Sequence, residues 1–218
     1  MKILLVAATH FELEGILMEL DEIQESNPKL ELEFLVTGAG IFYTASELAS
    51  HLTGKTYDLV MNIGIAGSFG KDPAIGDVVV VSRDYFADFG AEDGPSFLSA
   101  FEIGLVQPDL APYTKGWLIN EPGPVLPVAG TFRQCRGVTV NTAHGNTVSI
   151  KKLVERLNPE VESMEGAAFL HICLSKNIPC VQIRAISNRV ERRNRKNWNI
   201  PLALGNLSDY VVGILKHI

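Results

Sequence analysis

The feature that most constrains this chain is how its apolar runs break off. Residues 2–8 are continuously apolar after Lys2, the pattern of a central strand covered on both faces. The run stops at Thr9-His10-Phe11-Glu12, where charge and helical periodicity begin. Residues 32–37, 59–63, 78–82, 137–141 and 180–186 repeat the form and read as further strands. Residues 12–21 place Leu13, Ile16, Leu17 and Leu20 on one helical face. Residues 43–52, 150–157, 163–176 and 202–217 also read as helices, the last with Leu204, Leu207, Val211, Ile214 and Leu215 on its inner side. Strands alternating with helices predict an α/β domain around a mostly parallel or mixed sheet. A chain of 218 residues, 46% hydrophobic, suits one domain over 1–218 that buries its own core. Residues 89–127 interrupt the pattern with Gly, Pro, acidic residues and isolated aromatics, and predict loops with short helical pieces.

Charge and composition exclude several classes. The net charge is −6, so a general nucleic-acid surface is not expected, and the local exception is Arg189 to Lys196. Cys135, Cys173 and Cys180 form no CxxC pair, which argues against a disulfide framework and a zinc ribbon and for small buried thiols. The histidines are scattered, and neither a metal nor a cofactor is predicted. No apolar run approaches the roughly 18–20 residues that span a bilayer. The opening run is too short for a signal sequence and reads as the first buried strand of a cytoplasmic protein.

In open α/β sheets, ligands sit beyond the carboxyl ends of strands. After the apolar runs come Thr9 to Glu12, Gly38-Ala39-Gly40, Gly64 to Ser68, and Ser187-Asn188-Arg189; before the long helix comes Ser163-Met164-Glu165-Gly166. One concave site can collect them all. The glycine clusters either let backbone approach a ligand or make tight turns. Neither is a nucleotide-phosphate motif, since Tyr43 stands where a third glycine would be needed. Glu12 reads as a partner of a helix dipole or as a working carboxylate. Glu165 lies among small apolar residues, so its charge needs partners, either Arg184 or ligand hydroxyls.

Three motifs in order then carry a resemblance. Gly64-Ile65-Ala66-Gly67 with Ile75-Gly76-Asp77-Val78-Val79-Val80, Ser163-Met164-Glu165-Gly166-Ala167-Ala168, and Arg184-Ala185-Ile186-Ser187-Asn188 resemble the purine nucleoside phosphorylase/nucleosidase superfamily. The likeness is closest to its 5'-methylthioadenosine/S-adenosylhomocysteine nucleosidase branch. Within that branch the stretch from Ser187 to Ile200 is similar to the futalosine hydrolases of the alternative menaquinone pathway. The resemblance spans essentially the whole chain and is weakest over 89–127. It implies a phosphorylase/hydrolase-like three-layer fold, a central mixed sheet flanked by helices. It also implies cleavage of the bond between a purine and ribose, through a ribosyl cation and a departing base. Such a reaction needs negative charge near the sugar, a hydrogen bond for the base and an activated water.

By resemblance, Glu12 matches the glutamate that engages the water, and Glu165 the one that binds ribose hydroxyls. Arg184 matches an arginine near both. Met164 matches a residue packed on the sugar. Ile65, Ala66 and Gly67 match a loop closing over sugar and base. Thr142 and Ala143 match positions beside the purine, without the usual aromatic. Asn188 departs from the aspartate of the adenosine-type enzymes. Its amide can donate to a carbonyl O6 and accept from a protonated N7, which suits a 6-oxopurine such as hypoxanthine. Glu12 near the attacking group favours water over phosphate, and therefore hydrolysis. The runner-up is an adenine-releasing methylthioadenosine/S-adenosylhomocysteine nucleosidase; a third reading is a silent nucleoside-binding protein. The basic stretch Arg189, Arg192, Arg193, Arg195 and Lys196 is either a solvated loop or ion-pair network, or a clasp for the benzoate-type 5' group of futalosine. In the second case Arg189 or Arg193 takes the carboxylate and Trp198 or Phe42 covers the ring. His144 is a further possible contact. The resemblance also implies a homodimer or larger homo-oligomer, with Phe97, Phe101 and Trp117 as either interface or core aromatics. It implies no nucleic-acid or membrane partner.

Overall fold

The computed structural model describes residues 1–121 and 132–218. Its strands are β1 (Lys2–Ala7), β2 (Glu31–Val36), β3 (Leu59–Ser68), β4 (Val78–Asp84), β5 (Gly90–Asp93), β6 (Ser96–Ser99), β7 (Tyr113–Thr114), β8 (Trp117–Ile119), β9 (Gln134–Thr139), β10 (Val161–Ser163) and β11 (Cys180–Arg189). The helices are α1 (Glu14–Met18), α2 (Leu20–Ser26), α3 (Ile41–His51), α4 (Thr147–Leu157), α5 (Gly166–Ser175) and α6 (Ile200–His217). The order β2-β1-β3-β10-β9-β4-β8-β7 forms one mixed sheet, with β11 pairing both β3 and β4. Because β3, β10, β9, β4 and β11 pair in a cycle, the middle of the sheet closes into a ring. Helices cover both faces, which is the expected three-layer α/β architecture.

The layers follow from side-chain periodicity. Leu13, Ile16, Ile23, Leu207, Val211 and Leu215 bring α1, α2 and α6 onto one face, against Leu5, Met61 and Ile183. Leu48, Phe169, Leu170 and Cys173 bring α3 and α5 onto the other, against Leu4, Val6 and Val60. Full burial of each such aliphatic side chain contributes about 1.5–3 kcal/mol. All three cysteines are free and buried. No described helix is long and apolar enough to cross a membrane.

The structure corrects several expectations. β3 runs on through Ser68 and β11 through Arg189, because their far ends pair with each other. Ile65, Ala66 and Gly67 are thus strand residues and not a loop. The helix expected from residue 163 begins at Gly166, since Val161–Ser163 pairs with both β3 and β9. Residues 12–21 are not one helix: a 3₁₀ turn, His10–Glu12, precedes α1, and the chain bends again at Glu19 before α2. Residues 89–121 hold the β5–β6 hairpin and β7–β8, where short helices were expected; 122–127 fall outside the described residues. Phe101 and Trp117 face their own chain, with ring centroids 5.6 and 5.2 Å from Tyr85. Phe97 lies under the Arg156 guanidinium at 4.4 Å.

Candidate active site

Glu12 is the third residue of the 3₁₀ turn after β1, where its carboxylate closes a capping box with Thr9 in the first helical turn and also reaches β3. Its Oε2 accepts from the Thr9 amide at 2.9 Å, and its Oε1 crosses to β3 to accept from the Ile65 amide at 3.2 Å. Burial pushes its carboxyl above the usual glutamate range; the Thr9 amide and the Arg184 charge pull the other way, and Glu165 adds to the rise. A half-buried carboxylate of raised basicity is fitted to take a proton from water.

Glu165 caps the start of α5. Its Oε1 accepts from the Gly40 amide at 2.9 Å. Gly40 sits at φ +98°, a left-handed conformation that glycine takes without strain, so the Gly38-Ala39-Gly40 turn presents an amide to this carboxylate. Met164 precedes it, half-buried.

Arg184, on β11, is fully buried between these two carboxylates and Asp84, and all three act on it through charge. Its Nη1 donates to the carbonyls of Asn62 (3.3 Å) and Ile183 (3.0 Å), and its Nη2 donates to Asn62 Oδ1. Burial pulls it below the usual guanidinium range.

Asn188 pairs across the sheet with Gly67, where a Cβ would lie 3.1 Å from its Nδ2. Ser187 Oγ donates to Asn188 Oδ1 at 2.8 Å, and Asn188 Nδ2 donates to the Arg189 carbonyl at 2.9 Å. Those bonds orient the amide. Each of its atoms keeps one further bond in reserve, a donor and an acceptor.

Thr142 and Ala143 are exposed on the loop after β9. The loop is anchored at both ends. Asp88 accepts from the Asn141 amide at 2.6 Å, and Glu162 accepts from the His144 amide at 2.9 Å while its other oxygen lies 2.5 Å from His144 Nδ1. His144 is thus committed through Nδ1 to Glu162.

The structure separates the two arginines proposed as a clasp. Arg189 ties down the turn after β3: Nη1 donates to Ser68 Oγ (2.6 Å), Pro73 O (2.7 Å) and Gly70 O, and Nη2 to Lys71 O (2.7 Å). Arg193 is exposed and lies over the Trp198 ring at 5.1 Å. Its Cβ is 3.6 Å from the place a Cβ on Gly145 would take, on the loop after β9. Among the described residues, Arg192, Arg193, Arg195 and Lys196 have no carboxylate partner. Phe42 is exposed on α3.

Sequence reasoning passed over Asn62, Asp84, Glu162 and Gln182. Each is a buried polar residue inside a strand, and that was the available signal. Asp84 accepts from the Tyr85 amide (2.8 Å), Thr139 Oγ1 (3.0 Å) and Gln182 Nε2 (3.1 Å). Thr139 Oγ1 in turn takes the Ala167 amide at 2.7 Å, fixing the α5 turn that carries Glu165. Burial pushes Asp84 up to about 6.

Two carboxylates, Glu12 and Glu165, thus act through charge on Arg184 in β11, the strand that also carries Asn188. The chain belongs to the phosphorylase superfamily, whose family model matches residues 2–216. It is 31% identical over 188 residues to a futalosine hydrolase of Streptomyces coelicolor, covering 82% of this chain and 76% of that one. The fold matches the native structure of futalosine hydrolase from Helicobacter pylori with TM-score 0.78 at 16% identity, over 100% of this chain and 98% of that chain. It matches Streptococcus pneumoniae MTA/SAH nucleosidase in complex with 8-aminoadenine with TM-score 0.81 at 19% identity, over 100% of both.

Proposed function

We propose that this chain hydrolyses the N-glycosidic bond of futalosine, releasing hypoxanthine and dehypoxanthine futalosine in menaquinone biosynthesis, in the cytoplasm and without metal or cofactor. The observation that carries the reading is the asparagine at 188, with one donor and one acceptor in reserve on the strand that also carries Arg184. In this mechanism Glu12 holds the attacking water and takes its proton. Glu165 accepts from ribose hydroxyls and places negative charge beside the forming cation. Asn188 donates to O6 and accepts from protonated N7, so the base leaves as a neutral purine. Ile65, Ala66, Gly67 and Met164 border the sugar, and Thr142 and Ala143 the base. The relative from Streptomyces coelicolor supports the choice of substrate.

The 5' substituent extends toward Arg193, whose guanidinium lies over the Trp198 ring as that of Arg195 also does. The chain acts as a homodimer or larger homo-oligomer. An open depression of about 400 Å³, lined by His10, Phe11, Glu14, Leu17 and Met18, adjoins Glu12. Phe11 and Met18 are 72% and 75% exposed there, an apolar surface suited to a second copy.

The deciding experiment is base release from futalosine and from methylthioadenosine, each with and without phosphate. Hypoxanthine released from futalosine at a rate independent of phosphate is the expected result. Adenine release as the dominant activity, or turnover that requires phosphate, would overturn the reading.

A further inference from the structure

Arg184 has an unusual set of partners for a buried cation. Its guanidinium is held by neutral oxygens, two of them from Asn62, and its Nε has no partner. Among the described residues, no carboxylate is within ion-pair distance, although Glu12 comes from the 3₁₀ turn, Glu165 from the head of α5 and Asp84 from β4 to surround it. We propose that Asn62 is a positioning residue that holds the Arg184 guanidinium clear of both Glu12 and Glu165, so that it acts on them through charge without pairing with either.

Asn62 is 1% exposed, on β3. Its Nδ2 donates to the Val6 carbonyl at 3.1 Å, which turns its Oδ1 toward Arg184 Nη2. Gly64, two residues on, stands between the two charges. A Cβ there would lie 2.8 Å from Glu12 Oε1 and 3.6 Å from Arg184 Nη1. The absence of that atom lets the carboxylate and the guanidinium share a space, and Asn62 keeps them from closing on each other.

The chemistry explains why a neutral acceptor is used. A direct ion pair would strip Glu12 of the basicity it needs toward water. An aspartate at 62 would neutralise Arg184 and leave Glu12 and Glu165 without a counter-charge. A leucine would offer no side-chain acceptor, leaving Nη1 on the carbonyls of residues 62 and 183 but freeing Nη2 to turn. Asparagine satisfies the guanidinium without cancelling it.

The inference rests on the reading of Glu12 as the base, and its test separates the two. Asn62→Ala lets Arg184 approach Glu12, so the Glu12 titration midpoint falls by about one pH unit. Asn62→Asp cancels the Arg184 charge, so the midpoint rises by about the same amount. The carboxyl of Glu12 is followed by carbon NMR in protein labelled at glutamate, assigned by its loss in Glu12→Gln. The acidic limb of kcat/KM should move with it, and kcat should fall about tenfold in both variants. Opposite displacements in the two variants support positioning. Midpoints that stay put, or move the same way, overturn it. Should Asn62→Ala not fold, Asn62→Ser takes its place: it keeps a polar side chain but withdraws the acceptor from Arg184 Nη2, and a Glu12 midpoint that does not fall overturns the proposal. An unmoved limb beside displaced NMR midpoints would refute Glu12 as base while leaving the role of Asn62 intact.

Discussion

The Glu12 carboxylate occupies the space where a side chain on Gly64 would begin, since a Cβ there would lie 2.8 Å from Glu12 Oε1. The backbone of β3 continues past this point without strain, so the requirement for glycine is purely one of room. Gly64→Ala is therefore expected to fold with a Tm near that of the parent. The flexible end of Glu12 should swing aside, lowering kcat about 100-fold. Steady-state kinetics beside a thermal melt check this; an alanine variant with unchanged kcat would remove Glu12 from the mechanism.

Asn188→Asp should redirect base preference. A carboxyl accepts from a 6-amino group and can protonate N7, whereas the present amide donates to O6. The specificity ratio of methylthioadenosine to futalosine is expected to rise by about 10–1000-fold, a shift of roughly 1–4 kcal/mol. Competition between the two nucleosides, with the freed bases quantified, measures it. An unchanged ratio would mean that 188 does not read the purine.

Arg189 and Arg193 should separate stability from affinity. Arg189→Ala removes donors from Ser68, Gly70, Lys71 and Pro73 and is expected to cost about 1–3 kcal/mol of stability. Arg193→Ala is expected to leave Tm unchanged and raise KM for futalosine about tenfold, with no change in KM for inosine, which lacks the carboxylate. Equal losses on inosine and futalosine would place Arg193 outside the 5' subsite.

Asp84 predicts a pH dependence of folding. Its carboxyl titrates at about 6 in the fold, against 3.8 in an unfolded chain. The folded state thus binds the extra proton between those values, and stability from this group falls as pH rises from about 4 to about 6, by roughly 3 kcal/mol in all, and is flat above. Asp84→Asn should remove that slope. Gln182 Oε1, which has no partner, can turn to accept from the new amide. Melts from pH 4 to pH 8 test this; a variant much less stable at pH 8 would show that the ionised carboxylate contributes net stability.

The layers and most helices were legible because they rest on apolar periodicity, as in α6, where Leu207, Val211 and Leu215 reach one face. Glu12, Glu165 and Asn188 were legible as candidates because each breaks an apolar or glycine-rich stretch beside a strand end. Strand pairing was not legible. That β10 exists depends on two neighbours that accept Val161–Ser163, and nothing local distinguishes those residues from a helix start. The roles of Arg189 and Arg193 depend on which acceptors the turn at 68–73 brings within reach, which charge placement along the chain does not encode.

Strand β3 serves the site at alternate and successive positions: Asn62 to Arg184, Gly64 and Ile65 to Glu12, Gly67 to Asn188, and Ser68 to Arg189. A slip of one residue would turn every side chain of the strand to its opposite face. The consequence is heritable. An insertion or deletion between 62 and 68 would put the contacts on one side of it out of register with those on the other. Along β3, descendants of this chain can therefore diversify the site by substitution but not by change of length.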